Sequence, residues 1–255
     1  MIYKTKGGIP YLQFPNLADF SSINHGIFTR NGGKSKPPFA SLNISLNVGD
    51  DENDVIKNRR IIYKYMNEAD LVFAKQVHGN EVSVLNNNNC SCGNSVSLLS
   101  GDAIITNMRQ KSLVLQLADC QAVLFYDPIN KAAANVHCGW RGSVLNIVGK
   151  TIIVMNRQFG SNPGDIIAGI GPSLGPCCSE FINYKKEIPE SLWNYMRRPF
   201  FFDFWEMTHD QMTEAGIKRE NIYTSRICTK CNTDSFYSYR NDKQTGRFAA
   251  VIVLK

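Results

Sequence analysis

Two apolar runs separated by only three residues constrain the fold of this chain more than any other stretch. They lie in SLVLQLADCQAVLFYDP (112–128), where Ala118, Asp119 and Cys120 stand between the runs. Short apolar runs rich in β-branched and aromatic residues predict buried strands. The next apolar run, at residues 131–137, predicts a third strand. The middle of the chain therefore predicts a sheet of neighbouring strands.

Segments with helical spacing alternate with these strands. Helices are predicted at residues 51–67, 142–160 and 205–217. Asp51 or Asn53 would cap the first, Gly160 would end the second and Gly216 would end the third. Further strands are predicted at 166–171, 221–227 and 247–255. We therefore expect an α/β (α+β) fold in which layered helices cover mixed sheets.

The length and composition predict a single domain over residues 1–255. A chain of 255 residues that is 43% hydrophobic can bury a large core. The sequence contains no obvious internal repeat and no long linker. Two polar, turn-rich stretches, residues 30–38 and 85–95, predict surface loops.

Composition also excludes several classes of function. The sequence has no run of 18 apolar residues and no apolar core of a signal peptide near its start, so we expect a cytoplasmic protein without membrane contact. The net charge of +6 comes from scattered basic residues, which does not predict a nucleic-acid partner. Neither GxGxxG nor GxxxxGK[ST] is present, so the common nucleotide-binding loops are absent.

Three strand-like segments end on side chains that can bind a metal. They are KQVHGN (75–80), LADCQ (117–121) and NVHCGW (135–140), which carry His78, Cys120 and His137. Two imidazoles and one thiolate suit Zn²⁺ and leave a fourth position open, as in catalytic zinc sites. The spacing is not a compact motif, and each residue alone is also compatible with a place in the core.

The roles of the other cysteines and of the basic residues are less restricted by the sequence. Cys228 and Cys231 form a CTKC pair, which is compatible with a buried or loop pair, a redox pair or half of a metal site. Adjacent Cys177 and Cys178 are interpreted as structural. Arg141 follows His137 closely at a predicted helix start, where an arginine and backbone N–H groups favour an anion.

Taken together, the motifs resemble those of the laccase-domain family, once described as multicopper polyphenol oxidoreductases and later as purine nucleoside phosphorylases. The matching segments are HGIFTRNGG (25–33), SLNISLNVGDD (41–51), KQVHGNEV (75–82), GDAIITN (101–107), LADCQAVLFYDP (117–128), AAANVHCGWRGSV (132–144), AGIGPSLGPCCSEF (168–181) and DSFYSYRNDKQTGRFAAVIVL (234–254). They cover nearly the whole chain. The departures are Cys138, where alanine is usual, and CTKC in place of CTYC or CTYT.

The resemblance implies a fold similar to the catalytic domain of cytotoxic necrotizing factor toxins and a zinc site at His78, Cys120 and His137. It also implies phosphorolysis of purine nucleosides (adenosine, inosine, guanosine and methylthioadenosine) and deamination of adenosine. The implied partners are nucleosides and phosphate, and we expect a monomer or a homodimer. Four further residues in matching motifs are candidates for substrate contacts: Arg30, Asn43, Asp102 and Arg141. Asp102 is alternatively a partner that orients a zinc histidine.

Three alternatives to this function stay open. A multicopper oxidase needs far more histidines than the four present, although a single His₂Cys copper centre is compatible with them. Copper is therefore less expected than zinc. A cysteine hydrolase or amidase would use Cys120 as nucleophile and His137 as base. The last alternative is a zinc-containing module that binds a partner without catalysis.

Overall fold

The computed structural model describes residues 1–90 and 97–255. In chain order the strands are β1 (Ile2–Lys6), β2 (Ile9–Gln13), β3 (Ile23–Phe28), β4 (Asp70–Lys75), β5 (Val82–Val84), β6 (Ser97–Ser100), β7 (Ala103–Thr106), β8 (Lys111–Leu117), β9 (Gln121–Asp127), β10 (Ala132–Cys138), β11 (Ile167–Ile170), β12 (Met196–Arg198), β13 (Phe201–Phe202), β14 (Ile222–Thr224) and β15 (Phe248–Leu254). The α-helices are α1 (Pro15–Ala18), α2 (Glu52–Tyr65), α3 (Trp140–Val144), α4 (Ile147–Phe159), α5 (Tyr184–Glu187) and α6 (Phe204–Glu214).

In the described part of the chain the strands form two large mixed sheets and one short hairpin. The first sheet has the order β1-β2-β3-β15-β8-β4-β6, and β4 runs parallel to both of its neighbours. The second has the order β14-β11-β9-β10-β7-β5, with parallel pairs at its two edges. Strands β12 and β13 form the hairpin. The mixed α/β architecture predicted from the sequence is confirmed.

The two sheets pack face to face, and helices cover their outer faces. Leu113 and Ile252 of the first sheet share one buried cluster with Leu124 and Ala133 of the second. Helix α2 covers the other face of the first sheet. Helices α4 and α6 cover the other face of the second. This shared core supports a single domain over residues 1–255, which stays a prediction, as does the likeness to the toxin domain.

A buried amide joins the sheets close to the predicted site. Asn135 lies on β10, and its Nδ2 donates hydrogen bonds to the carbonyls of Leu113 and Ala250, each at 2.9 Å. Both acceptors belong to the first sheet. His137 follows two residues later on the same strand. The contact therefore fixes where the end of β10 meets the other sheet.

The helix predicted over residues 142–160 is two helices in the structure. Helix α3 starts earlier, at Trp140. The helical conformation is interrupted at Asn146, which adopts a left-handed φ of 52°. The Asn146 side chain accepts a hydrogen bond from the Gly149 N–H and so caps α4. Asparagine tolerates this conformation better than most residues, which explains the break. Gly160 ends α4 in the left-handed conformation, as predicted.

Most other local predictions agree with the structure. Asp51 caps α2 through its side chain, and Asp203 caps α6, which ends just before Gly216. Residues 30–38 form a loop, and residues 85–90 form a turn, whereas the rest of the predicted loop at 85–95 lies outside the described residues. No helix among the described residues is both long and apolar enough to cross a bilayer.

Close packing between β11 and the N-terminal segment gives a test of the core. A Cβ atom added to Gly169 would lie 2.6 Å from the ring of buried Phe14. We expect Gly169→Ala to lower the free energy of unfolding by about 1–3 kcal/mol, because neither the ring nor the strand can move freely. The urea midpoint should fall with an unchanged slope.

Gly164→Ala is the matched control for this substitution. The nearest atoms to a Cβ at Gly164 lie at 3.6 Å, an ordinary contact. This variant should unfold at nearly the wild-type urea concentration. Equal stability of the two variants would contradict the proposed packing constraint.

Candidate functional site

Three side chains that are distant in sequence meet where the two sheets adjoin. His78 lies in the turn after β4, Cys120 lies between β8 and β9, and His137 lies near the end of β10. Their ligand atoms all lie within 4.8 Å of one another. The two imidazole rings are nearly perpendicular, with centroids 4.9 Å apart. The structure therefore brings together the three residues that the sequence predicted as one site.

The Asp102 carboxylate holds the turn that carries His78. It accepts hydrogen bonds from the backbone N–H groups of Val77, His78 and Gly79, with the shortest at 2.7 Å from Gly79. His78 has a left-handed φ of 60°. Such a conformation costs roughly 1–3 kcal/mol in a residue other than glycine. The charged acceptor offsets that cost and fixes the histidine in place.

The same carboxylate orients the second histidine. Nδ1 of His137 lies 2.8 Å from Asp102 Oδ1, and both side chains are buried. A hydrogen bond donated by Nδ1 leaves Nε2 as the nitrogen with a free lone pair. Of the two roles considered for Asp102, the geometry matches that of a partner that orients a histidine.

Cys120 and His137 shift each other's proton affinity. Burial by itself raises the pKa of the Cys120 thiol, but attraction to His137 and hydrogen bonds from both histidines outweigh it and lower that pKa. Burial lowers the pKa of His137, but the Cys120 thiolate and the Asp102 hydrogen bond raise it overall. Without a metal, the pair therefore favours a thiolate beside an imidazolium.

A glycine keeps the space beside the three ligands open. A Cβ at Gly139 would lie 3.2 Å from Cys120 Sγ and 3.3 Å from His78 Cδ2. These contacts are tighter than side chains normally tolerate. Any larger residue here would press on the cluster. The Gly-Trp turn after β10 thus preserves a cradle that fits an ion among two nitrogens and one sulfur.

Two cavities adjoin the cluster. The larger has a volume of about 690 Å³ and is bounded by His78, Cys120 and His137 together with Gln116 and Tyr239. The smaller, of about 300 Å³, is also bounded by His78 and Cys120 and includes Trp140. The larger volume falls in the range usual for small-molecule sites. The three candidate metal ligands therefore border a cavity large enough for a small molecule.

One residue that borders the larger cavity carries a buried amide oxygen without a hydrogen-bond partner. This residue is Gln116, and its Oε1 atom has no hydrogen-bond partner. The backbone of Gln116 is held by Gln76 through two hydrogen bonds, at 2.9 and 3.0 Å. A buried acceptor without a partner is costly unless a ligand or water satisfies it. Sequence analysis missed both glutamines because amides on a strand carry no distinctive pattern.

Four basic residues border the two cavities. Arg247 and Lys75 border the larger cavity, and Arg240 and Lys243 border the smaller. The backbone N–H of Arg247 is fixed by Asn43 Oδ1 at 2.9 Å. Asn43 is fully buried, so it acts on the site through Arg247 and the neighbouring loop. The predicted substrate contact of Asn43 stays a prediction.

Arg30 and Arg141 are not among the residues that border these two cavities. The Arg30 guanidinium donates to the carbonyls of Ala40 and Thr233 and lies over the ring of Tyr237. Arg141 is exposed at the start of α3, with its guanidinium 5.0 Å from the centre of the Trp140 ring. Their predicted contacts with phosphate or ribose also stay predictions.

The ligand set suits zinc and has too few histidines for a multicopper centre, whereas a single copper ion at the same three residues stays an alternative. Of the four histidines, His25 binds the Phe14 N–H through its ring and His209 lies on α6, so only His78 and His137 are at the cluster. No methionine borders either cavity among the described residues, whereas blue-copper centres use a weak axial methionine or a similar ligand. Two imidazoles and a thiolate with an open side fit a catalytic zinc ion.

The profile of the family described as "Multi-copper polyphenol oxidoreductase laccase" matches residues 24–255. The chain belongs to this family. Among other members, YlmD of Bacillus subtilis, named a purine nucleoside phosphorylase, is 34% identical over 90% of this chain and 88% of its own. YfiH of Escherichia coli has the same enzyme name and is 30% identical, covering 89% of this chain and 91% of its own.

Solved structures of family members have the same fold. The structure of YlmD from Geobacillus stearothermophilus is 30% identical and superposes with a TM-score of 0.86, covering 100% of this chain and 99% of that one. A Bacillus licheniformis protein called YfiH gives a TM-score of 0.85 at 30% identity, with coverage of 97% and 96%. The resemblance found in the sequence motifs is therefore confirmed for the family and its fold.

The role of Asp102 can be tested by removing its charge. We expect Asp102→Asn to weaken Zn²⁺ binding by about 10- to 100-fold, because the ligand histidine loses its carboxylate partner. Competition against a chromophoric chelator measures this change. Asp127→Asn is the control, since Asp127 is equally buried and accepts backbone hydrogen bonds at the opposite end of β9. Equal zinc affinities in both variants would exclude the orienting role.

Metal binding should also release protons. The pKa of Cys120 is lowered and that of His137 is raised, so near neutral pH the pair holds a proton on the histidine. Zn²⁺ must displace this proton to bind. We expect about one proton released from this pair, more in acid, and a zinc affinity that falls as the pH falls. Calorimetry in buffers of different ionisation enthalpy measures the release. A zinc affinity independent of pH would count against these ligands.

Proposed function

We propose that the protein is a zinc-dependent purine nucleoside phosphorylase that also deaminates adenosine. The observation that carries the proposal is the His78–Cys120–His137 cluster at the edge of a cavity of about 690 Å³ that also holds cationic side chains. Phosphorolysis needs a nucleoside site beside an anion site. The enzyme names of the relatives from Bacillus subtilis and Escherichia coli support the same reaction class.

His78, Cys120 and His137 would hold the zinc ion, with Asp102 fixing the orientation of His137. An ion held there would supply Lewis acidity and would make water nucleophilic near neutral pH. Deamination exchanges the amino group of adenosine for the oxygen of water, giving inosine and ammonia. The larger cavity leaves room for the purine on the open side of the cluster.

Polar and aromatic groups around the cavity suit a nucleoside. The Gln116 side chain borders the cavity, where its amide group would form a hydrogen bond with an amino or hydroxyl group of the substrate. The partly exposed Tyr239 ring borders the same cavity and offers a face for the base. These contacts would hold the glycosidic bond in a fixed orientation. Positioning of this kind lowers the entropic part of the barrier.

Arg247 and Lys75 are the cations that would bind phosphate in this cavity. An arginine fork matches two phosphate oxygens, and lysine adds a point charge. In phosphorolysis a phosphate oxygen forms a bond to C1′ of the ribose. The bond from C1′ to the base breaks, and the base leaves with the electron pair and takes up a proton. The products are the free base and ribose 1-phosphate.

A second candidate function rests on the proton equilibrium of the cluster. The thiolate of Cys120 beside the imidazolium of His137 is the arrangement of an activated cysteine nucleophile. A cysteine hydrolase acting on amides would therefore use the same atoms without a metal. Alkylation of Cys120 by iodoacetamide distinguishes the two functions. Protection by Zn²⁺ favours the zinc enzyme, and unchanged alkylation with Zn²⁺ present favours the hydrolase.

A product assay tests the proposed reactions directly. Zinc-loaded protein is incubated with adenosine, with and without phosphate, and the products are separated by chromatography. We expect adenine that depends on phosphate and inosine that does not, and both should fall below about 1% of the wild-type rate in His137→Ala. His209→Ala, a substitution of a histidine on α6, should keep both activities. If neither product forms, the purine function is wrong and amide substrates are tested next.

The phosphate site can be assigned by comparing arginines. We expect Arg247→Ala to raise KM for phosphate by about 10- to 100-fold, which corresponds to the loss of a charge-assisted hydrogen bond. KM for the nucleoside should change less. Arg30→Ala and Arg141→Ala are measured in parallel, because both were candidates for this role in the sequence. A larger effect at Arg141 than at Arg247 would move the phosphate site to the start of α3.

The cellular setting completes the proposal. We place the enzyme in the cytoplasm, where the thiols of Cys120, Cys138 and Cys228 stay reduced. Nucleosides and phosphate are its partners, with no role for nucleic acid or a membrane. It acts as a monomer or a homodimer.

A further inference from the structure

We propose that Cys177, Cys178, Cys228 and Cys231 form a second metal site, a structural zinc ion bound by four thiolates. The proposal concerns residues outside the catalytic cluster and does not depend on the proposed function. Two cysteine pairs that are about fifty residues apart in sequence converge on one point of the surface.

The distances between the sulfur atoms fit one tetrahedral ion. The Sγ atom of Cys231 lies 3.6 Å from that of Cys177 and 3.5 Å from that of Cys178. All four sulfurs lie within 4.8 Å of one another. A tetrahedral zinc ion with Zn–S bonds of about 2.3 Å spaces its sulfurs by about 3.8 Å. The cluster therefore needs only small side-chain movements to bind the ion.

The backbone around both pairs is held independently of any metal. The N–H groups of Cys178 and Ser179 both donate to the Gly175 carbonyl, which forms the turn that carries the adjacent pair. Ser173 bridges to the CTKC segment, because its N–H donates to Ile227 and its carbonyl accepts from Thr229. These contacts place the two pairs side by side. The ligands are thus arranged before an ion binds.

Charge and exposure also suit a bound ion. Cys177 and Cys231 are exposed, so an ion can reach the site, whereas Cys228 is buried. Four thiolates around Zn²⁺ carry a net charge of about −2. The Arg198 guanidinium donates to the Cys177 carbonyl at 2.9 Å, and Lys230 lies between the two cysteines of CTKC. Both cations are placed to offset that charge.

The ligand type selects zinc among the common divalent ions. Thiolates bind soft or borderline ions and disfavour Mg²⁺ and Ca²⁺. Four sulfurs with no neighbouring open ligand position are typical of closed structural zinc sites. Two disulfides would give each sulfur a single partner, whereas Cys231 Sγ is almost equally close to the sulfurs of Cys177 and Cys178. The convergence of all four favours the metal.

The site would tie together two segments that form the wall of the smaller cavity. Asp119, next to the catalytic cysteine, accepts hydrogen bonds from Thr229 Oγ1 and from the Arg240 N–H. It also binds the other segment, because its carbonyl accepts from the Leu174 N–H. A metal joining Cys178 to Cys228 would link these same two segments a second time. The zinc ion would therefore fix the loops around Cys120 without touching the substrate.

Metal stoichiometry tests the proposal. Full-length protein produced in zinc-supplemented medium is desalted, and its zinc and iron are measured by mass spectrometry. We expect one zinc ion per chain that Cys228→Ser/Cys231→Ser removes and that Cys90→Ser retains, and an ion at the His78–Cys120–His137 cluster would bring the wild-type total to two. Cys120→Ser should lose any ion at that cluster and keep the other. One zinc ion in the wild type that Cys120→Ser removes, or iron in place of zinc at the four cysteines, would overturn the proposal.

A second measurement covers the case in which the double variant does not fold. X-ray absorption at the zinc edge is recorded on Cys120→Ser, which retains only the proposed structural site. We expect four sulfur neighbours at about 2.3 Å. A first shell of nitrogen and oxygen, or a disulfide among these cysteines found by peptide mass mapping, would overturn the proposal. Neither measurement uses enzymatic activity, so failure of the purine function would not affect it.

Discussion

The hydrogen bonds of one buried carboxylate organise the site. Asp102 accepts three backbone N–H groups from the turn that carries His78 and one ring N–H from His137. A charged acceptor is stable in this buried position because these donors replace the water it has lost, and together they hold its pKa below the usual value. The left-handed backbone at His78 and the tautomer of His137 both depend on it. The geometry of the three candidate metal ligands is therefore set by a carboxylate that is not one of them.

The part of the site that sequence reasoning predicted shares one property. His78, Cys120 and His137 each stand where an apolar strand gives way to a turn, so the strand pattern alone indicates that they can converge. The resemblance to the family then selects one set. The sequence did not predict that Arg247 borders the cavity. A basic residue before the last strand gives the same local pattern whether it is solvated or borders a cavity. Its placement comes from Asn43, a contact across 204 residues of sequence.

Long-range contacts also explain the other differences. The interruption of the helix at Asn146 depends on a side-chain cap that competes with a continuous helix. The sequence did not predict this interruption, because the apolar spacing is helical on both sides of it. The two cysteine pairs looked like separate features because only the neighbouring segments around Ser173 and Cys228 bring them together. Pairing of strands that are distant in sequence is set by the whole fold. Local residue patterns carry little information about it.

The candidate metal cluster draws its three residues from both sheets. His78 follows β4 of the first sheet, His137 belongs to β10 of the second, and Cys120 lies on the connection between them. A chain in which only one sheet has formed has no complete cluster. An ion held by these three residues would therefore bind late in folding, and its presence would mark chains whose two sheets have assembled correctly.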